Sequence, residues 1–250
     1  MWRTITLVCA LLATSAAVCS CATRASRGTA RRKTKAIVVT GGHGFEAEPF
    51  FAMFDSFDDI TYDHLALQDD SELFEDISNW DYDVIVLYNM TQNISPRRRE
   101  NFVRLLRKGV GLVALHHCIA AYQNWPQYKK IIGARYYLKE MTEDGIRHDR
   151  STYKEGLDLS IRVEKQHPVT KGLADFVIHD EAYKKCVFEP DNTILLSTTN
   201  EYSDGPIAWV RHYENARICY IQLGHGRSAY ENPNYRRLVT QAIQWCAHER

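Results

Sequence analysis

The sequence predicts an α/β domain: an open, mostly parallel sheet with helices on both faces. Three observations predict it. Short apolar, β-branched runs alternate with stretches at helical spacing through residues 36–115. The runs are apolar at nearly every position, as strands buried on both faces are. Glycine or a capping residue marks several junctions.

The first strand, residues 36–40, ends at Gly41-Gly42. Residues 46–57 place Phe50, Phe51, Phe54 and Phe57 along one helical stripe. A strand at 60–65, a short helix at 71–78 and a strand at 84–88 follow. Ser95 at the N-cap and Pro96 at the first position open a helix that runs to Lys108 and stops at Gly109. Residues 110–115 form the fourth strand. The second half is less regular. Strands are predicted at 157–164 and 193–198, and an antiparallel hairpin joins 207–213 to 217–223. A closing amphipathic helix covers 234–248, with Leu238, Ala242, Ile243 and Trp245.

A length of 250 residues suits one such domain. The 31 basic and 31 acidic side chains cancel, but seven of the basic ones lie in the first 35 residues, which hold no acid. The rest carries 24 basic against 31 acidic side chains. An acidic body lacks the cationic footprint that phosphate-backbone binding needs, so no nucleic-acid partner is expected. No later apolar run approaches the ~20 residues of a membrane span.

Residues 1–21 read as a signal peptide: a basic start, an apolar stretch from Ile5 and small residues near its end. Val18-Cys19-Ser20-Cys21 resembles a bacterial lipobox, with ordinary cleavage after Ala22 as the alternative. The expected location is therefore exported, periplasmic or cell-envelope, with a membrane partner only through a lipid anchor at Cys21. Residues 22–35 form a basic flexible tether and 36–250 the domain. Cys118, Cys186, Cys219 and Cys246 show no metal or redox spacing, and Cys219 and Cys246 read as buried thiols. Asn89-Met-Thr and Asn93-Ile-Ser match the glycosylation pattern, relevant only to a eukaryotic secretory route.

In open α/β sheets, ligands lie beyond the carboxyl ends of the strands. Three histidine clusters fall there: His43 in Thr40-Gly-Gly-His-Gly-Phe45, the pair His116-His117, and His225 in Leu223-Gly-His-Gly226. Gly42 would let a ligand approach the backbone. Imidazoles serve as metal ligands or as proton carriers near neutral pH. In an extended backbone His116 and His117 point to opposite sides, so one of them is expected to face the site. The metal set is read as His43, His117 and His225, for a divalent cation such as zinc.

A second group comprises His148, His167-Pro168 and His179-Asp180-Glu181. Glu181 or His148 could move a proton, and Asp180 could touch substrate, although a solvated loop is the plainer reading of Asp180. His167-Pro168 resembles a turn-setting pair. Trp125, Tyr136, Tyr137 and Trp209 could wall a sugar site, although core packing is the commoner fate of such residues.

Several segments, in order, resemble the ThuA-like (trehalose-utilisation) family. They are Gly111-Leu-Val-Ala-Leu-His-His117, Trp125-Pro-Gln-Tyr128, Ile132-Gly-Ala-Arg-Tyr136, His167-Pro-Val-Thr-Lys-Gly-Leu173, Asp180-Glu-Ala-Tyr183, Pro206-Ile-Ala-Trp209 and Leu223-Gly-His225 with Asn232-Pro233. The resemblance implies a flavodoxin-like fold akin to class I glutamine amidotransferases. Those enzymes place a cysteine nucleophile at a strand-to-helix elbow. Here that place reads Leu115-His116-His117-Cys118, and Arg227 stands where the partner glutamate of the late histidine would be. Cys118 lies late, so glutaminase activity is not expected.

The resemblance further implies sugar catabolism, with 3-keto disaccharides or glycosides as substrates. For such chemistry the candidate catalytic residues are His116, His117, His148, Glu181 and His225, with Glu181 or His148 moving the proton. Two other classes of function remain open at this point: a non-catalytic sugar-binding or scaffold module, and a hydrolase using two carboxylates. The partner is a small carbohydrate, and self-association is left open.

Overall fold

The structure, a computed structural model, describes residues 1–2, 32–68, 70–143 and 145–247. The signal peptide beyond its first two residues, Cys21 and the tether up to Arg31 lie outside the described residues.

The first half follows the expected alternation: β1 (Thr34–Gly41), α1 (Ala47–Asp55), β2 (Ile60–Ala66), β3 (Val84–Asn89), α2 (Pro96–Arg107) and β4 (Gly111–Leu115). Then come α3 (Pro126–Ile132) and the short strands β5 (Ala134–Arg135), β6 (Met141–Glu143) and β7 (Ile146–His148). The long β8 (Thr152–Val163) and β9 (Phe176–Lys184) pair with each other. The chain continues through β10 (Val187–Phe188), β11 (Thr193–Ser197), β12 (Pro206–Tyr213), β13 (Ala216–Ile221), α4 (Arg227–Tyr230) and α5 (Pro233–Cys246).

Nine strands join one sheet in the order β2-β1-β3-β4-β13-β12-β11-β8-β9. The strands from β2 to β13 are parallel, and those from β12 onward add antiparallel. Alternate residues feed two cores. Ala36, Val38, Val84, Val86, Val113 and Leu115 pack under α1 and α5. Ile37, Val39, Ile85, Leu87, Leu112 and Ala114 pack under α2 and α3. The mixed sheet with helices on both faces is the fold class the sequence predicts.

The local differences have identifiable causes. Residues 71–78 form only a 3-10 turn, Glu72–Phe74. Helix α3 is short and carries Lys129 and Lys130 in its last turn, so its apolar stripe is faint in the sequence. His167 caps the turn Pro168–Thr170 through a reciprocal capping box with Thr170, as a turn-setting pair would. Asn89 is buried with its amide on the Tyr122 hydroxyl, which removes it as a glycosylation acceptor in the folded chain. Among the described residues no helix is long and apolar enough to cross a membrane.

Candidate active site at the strand ends

The site grows from three turns at the carboxyl edge of the parallel strands. After β1, Gly42 adopts φ +74°, and a Cβ there would lie 2.5 Å from the Thr91 backbone nitrogen. Glycine is required at that close approach, and His43 follows it. After β4 the chain turns at His116, whose φ of +50° lies in the left-handed region that non-glycine residues seldom adopt. His116 opens a 3-10 turn to Ala120, so strand alternation ends there and both His116 and His117 line the same pocket. After β13, His225 arrives at that pocket from the far side.

The fourth contribution comes from β9. Glu181 and Tyr183 share one face of this strand, and both line the pocket. Three ligand atoms converge: His116 Nε2 lies 3.1 Å from Glu181 Oε2, His225 Nδ1 lies 3.3 Å from the same oxygen, and the two nitrogens lie 3.3 Å apart. The edges of a tetrahedron around zinc with bonds of about 2.0–2.1 Å measure roughly 3.3–3.4 Å. The donor set of two imidazoles and a carboxylate therefore fits a divalent cation in composition and spacing. The outer support fits as well. His116 Nδ1 donates to the Gln222 carbonyl at 2.7 Å, which leaves Nε2 free to act as a ligand. The Tyr220 hydroxyl donates to the His116 carbonyl, and the Tyr183 hydroxyl stands 3.0 Å from Nε2.

Asp180 faces away from the pocket and is buried. Its carboxylate accepts from the backbone N–H groups of Glu181, His225 and Gly224 at 2.8–2.9 Å. It thus ties the strand bearing Glu181 to the turn bearing His225. Burial pushes Asp180 above the usual carboxylate value, opposed by His116 and by those three donors. Arg227 accounts for its departure from the amidotransferase pattern: its backbone N–H meets Glu46 at 2.7 Å and its guanidinium meets Glu48 at 2.8 Å, clasping the turn after β13 to the start of α1.

Charge is distributed unequally in the site. Burial disfavours the Glu181 carboxylate, but hydrogen bonds and charge from His116 and His225 outweigh it and hold its pKa at about 2. The His225 pKa is raised, chiefly by its hydrogen bond to Glu181. His117 moves the opposite way. Burial first, then the neighbouring His116 and His43, push its pKa well below the ordinary imidazole value. Its ring nitrogens are sealed from solvent beside the Tyr88 backbone, so His117 is a neutral imidazole built into the pocket wall.

Of the residues expected from sequence, His43, His116, His117, Tyr136, Glu181 and His225 meet at this pocket. The converged ligand set is His116, Glu181 and His225. His43 and His117 stand outside it, their rings 4.5 Å apart and tilted on each other. His148 stacks on Tyr137 at 4.8 Å and does not line the pocket. Trp125 and Trp209 are core residues, and the Trp209 indole donates to the Ile132 carbonyl. Tyr137 is also buried and donates to Glu143. Gly42 shapes a turn and Asp180 positions its neighbours. Cys118 is fully buried and burial pushes its thiol up, which removes it as a thiolate. Tyr183, Arg150, Tyr153 and Glu155 line the pocket without having been singled out. The quoted segment Asp180-Glu-Ala-Tyr183 held the signal for Tyr183, because alternation from Glu181 puts it on the same face.

Known proteins share this architecture. A ThuA-like protein from Parabacteroides merdae ATCC 43184 superposes with a TM-score of 0.72 at 17% identity, covering 86% of this chain and 90% of that one. One from Bacteroides uniformis ATCC 8492 gives 0.62 at 24% identity, covering 87% and 93%. Part of the β-galactosidase from Bacillus circulans sp. alkalophilus gives 0.53 at 12% identity, covering 85% of this chain and 31% of the enzyme. These likenesses establish the class I amidotransferase-like fold. No curated protein sequence matches the chain. The model of the ThuA family, described as trehalose utilisation, matches residues 35–246, and the chain belongs to that family.

Proposed function

We propose that this protein acts in carbohydrate catabolism on 3-keto disaccharides or glycosides, by acid–base chemistry at the strand-end pocket and without glutaminase activity. The observation that supports it best is the convergence of His116, Glu181 and His225 at a pocket that His43 also lines. A zinc-class cation would be held by His116 Nε2, Glu181 and His225 Nδ1, and when bound it would supply Lewis acidity toward a sugar oxygen.

The chain's own groups then have separate tasks. A 3-keto sugar has an acidic C2–H beside its carbonyl. His43 is exposed at the pocket and donates through Nδ1 to the Gly44 carbonyl, so its Nε2 can take that proton. The C–H electrons form the C1–C2 double bond, and the glycosidic C1–O bond breaks. The departing oxygen keeps the bonding pair and receives the proton back from His43, so the step is redox-neutral. Tyr183, whose phenol burial holds protonated, is a hydrogen-bond donor at the pocket floor. The buried His117 ring packs against His43 at 4.5 Å and orients it. The apolar wall of Ile119, Ala120 and Leu138 excludes water.

The competing reading is a non-catalytic sugar-binding module, which needs the pocket walls but not three converged ligand atoms. A screen of trehalose, methyl α-glucoside and their 3-keto forms, with metal or with chelator, separates the two. Turnover confined to the 3-keto compounds and lost with chelator is expected. Sugar binding without turnover of any of them would overturn the enzymatic reading. We further propose export, with lipidation at Cys21, from the N-terminal sequence alone; Cys21→Ser should release the protein from membranes.

A further inference from the structure

We infer that Tyr153, flanked by Arg150 and Glu155, forms an outer sugar subsite, so that the pocket takes a two-ring glycoside with its second ring stacked on Tyr153. The inference deepens the carbohydrate reading above and rests on it. Three observations lead to it.

First, the leading half of β8 overhangs the pocket as an arm. Only Arg162 and Val163, at its far end, pair with β11, whereas Thr152 onward pairs with β9 alone. Residues 152–156 are all exposed. Second, Tyr153 lies directly across the ladder from Tyr183, which touches His116. Cross-strand partners present their side chains on one face about 5 Å apart. Tyr153 therefore stands one ladder step out from the catalytic floor, with 56% of its surface exposed and its ring bordering the pocket. A large aromatic left in water at a pocket mouth offers a flat apolar face for a pyranose ring.

Third, the polar groups around that face suit hydroxyls. Strand alternation from Tyr153 puts Glu155 on the pocket side, 4.0 Å from His225 Nε2, just ahead of a register shift at Gly156. Arg150 has no carboxylate partner among the described residues, and it borders the same opening. The cavity itself is about 200 Å³, so a second ring would rest on exposed Tyr153 at its mouth rather than inside it.

The test compares 3-keto-trehalose with methyl 3-keto-α-glucoside on the full chain and on Tyr153→Ala and Tyr153→Phe. The ratio of kcat/KM, disaccharide over methyl glycoside, should fall roughly tenfold in Tyr153→Ala, a loss of about 1.4 kcal/mol. The fall should come through KM for the disaccharide, and Tyr153→Phe should restore the ratio because the ring face is retained. A ratio within twofold of the wild-type value in Tyr153→Ala overturns the subsite while leaving the carbohydrate reading intact. Turnover of neither compound by the unmodified protein overturns both.

Discussion

Replacing Glu181 by glutamine keeps the shape of the side chain and removes its charge from between two imidazoles. In the metal-free protein the carboxylate is held at about 2, against 4.5 for an ordinary glutamate. At 1.36 kcal/mol per pKa unit this difference corresponds to about 3 kcal/mol of stability at neutral pH. The sign follows from the direction of the shift: a depressed carboxylate stabilises the folded state above its unfolded pKa and loses that contribution as pH falls through the folded value. Chemical denaturation of the chelator-treated wild type and Glu181→Gln should therefore show a gap of about 3 kcal/mol at pH 6–7, narrowing to roughly half by pH 3. A second readout is the His225 imidazole, raised mainly by Glu181, whose pKa should fall in the variant. A stability gap that stays constant from pH 7 to pH 3, with the His225 titration unmoved, would refute the linked cluster.

Other perturbations test its neighbours. Asp180→Asn puts an amide donor against one of three backbone N–H groups, so it should cost about 1–3 kcal/mol in a denaturant titration and lower activity by loosening Glu181 and His225. His117→Phe removes sealed ring nitrogens while keeping a ring against His43, so the melting temperature should hold or rise and turnover of a 3-keto glycoside should persist within about tenfold. Loss of turnover at an unchanged melting temperature would mark His117 as the base instead. Cys118→Ser should leave turnover within a few-fold of wild type in a steady-state assay, because the thiol is sealed and protonated.

The central strands were legible because β1, β3 and β4 are apolar on both faces, so Ala36–Val39, Val84–Leu87 and Leu112–Leu115 read as buried runs. The strand-end histidines followed from that alternation. Strand β9 was not legible as a strand, because buried Asp180, Glu181 and Tyr183 interrupt the apolar pattern of Ile178 and Ala182. Polar residues in sequence resemble a loop; here they are buried and satisfied by the backbone of a distant turn. The sequence alone points to His43, His117 and His225 as ligands, whereas the residues whose ligand atoms converge are His116, Glu181 and His225, for a related reason. Alternation sends His116 and His117 apart, but the left-handed turn at His116 brings both into one pocket and leaves His116 holding the convergent nitrogen. The tryptophans carried no local signal separating a sugar wall from a core.

Equilibrium zinc binding, counted per chain on the full-length protein and on His116→Ala, Glu181→Gln, His225→Ala and His148→Ala, tests the metal-holding cluster most directly. One bound ion, retained by His148→Ala and lost with each of the other three, is the predicted result. No stoichiometric binding to the wild type, or an ion retained after His225→Ala, would contradict it.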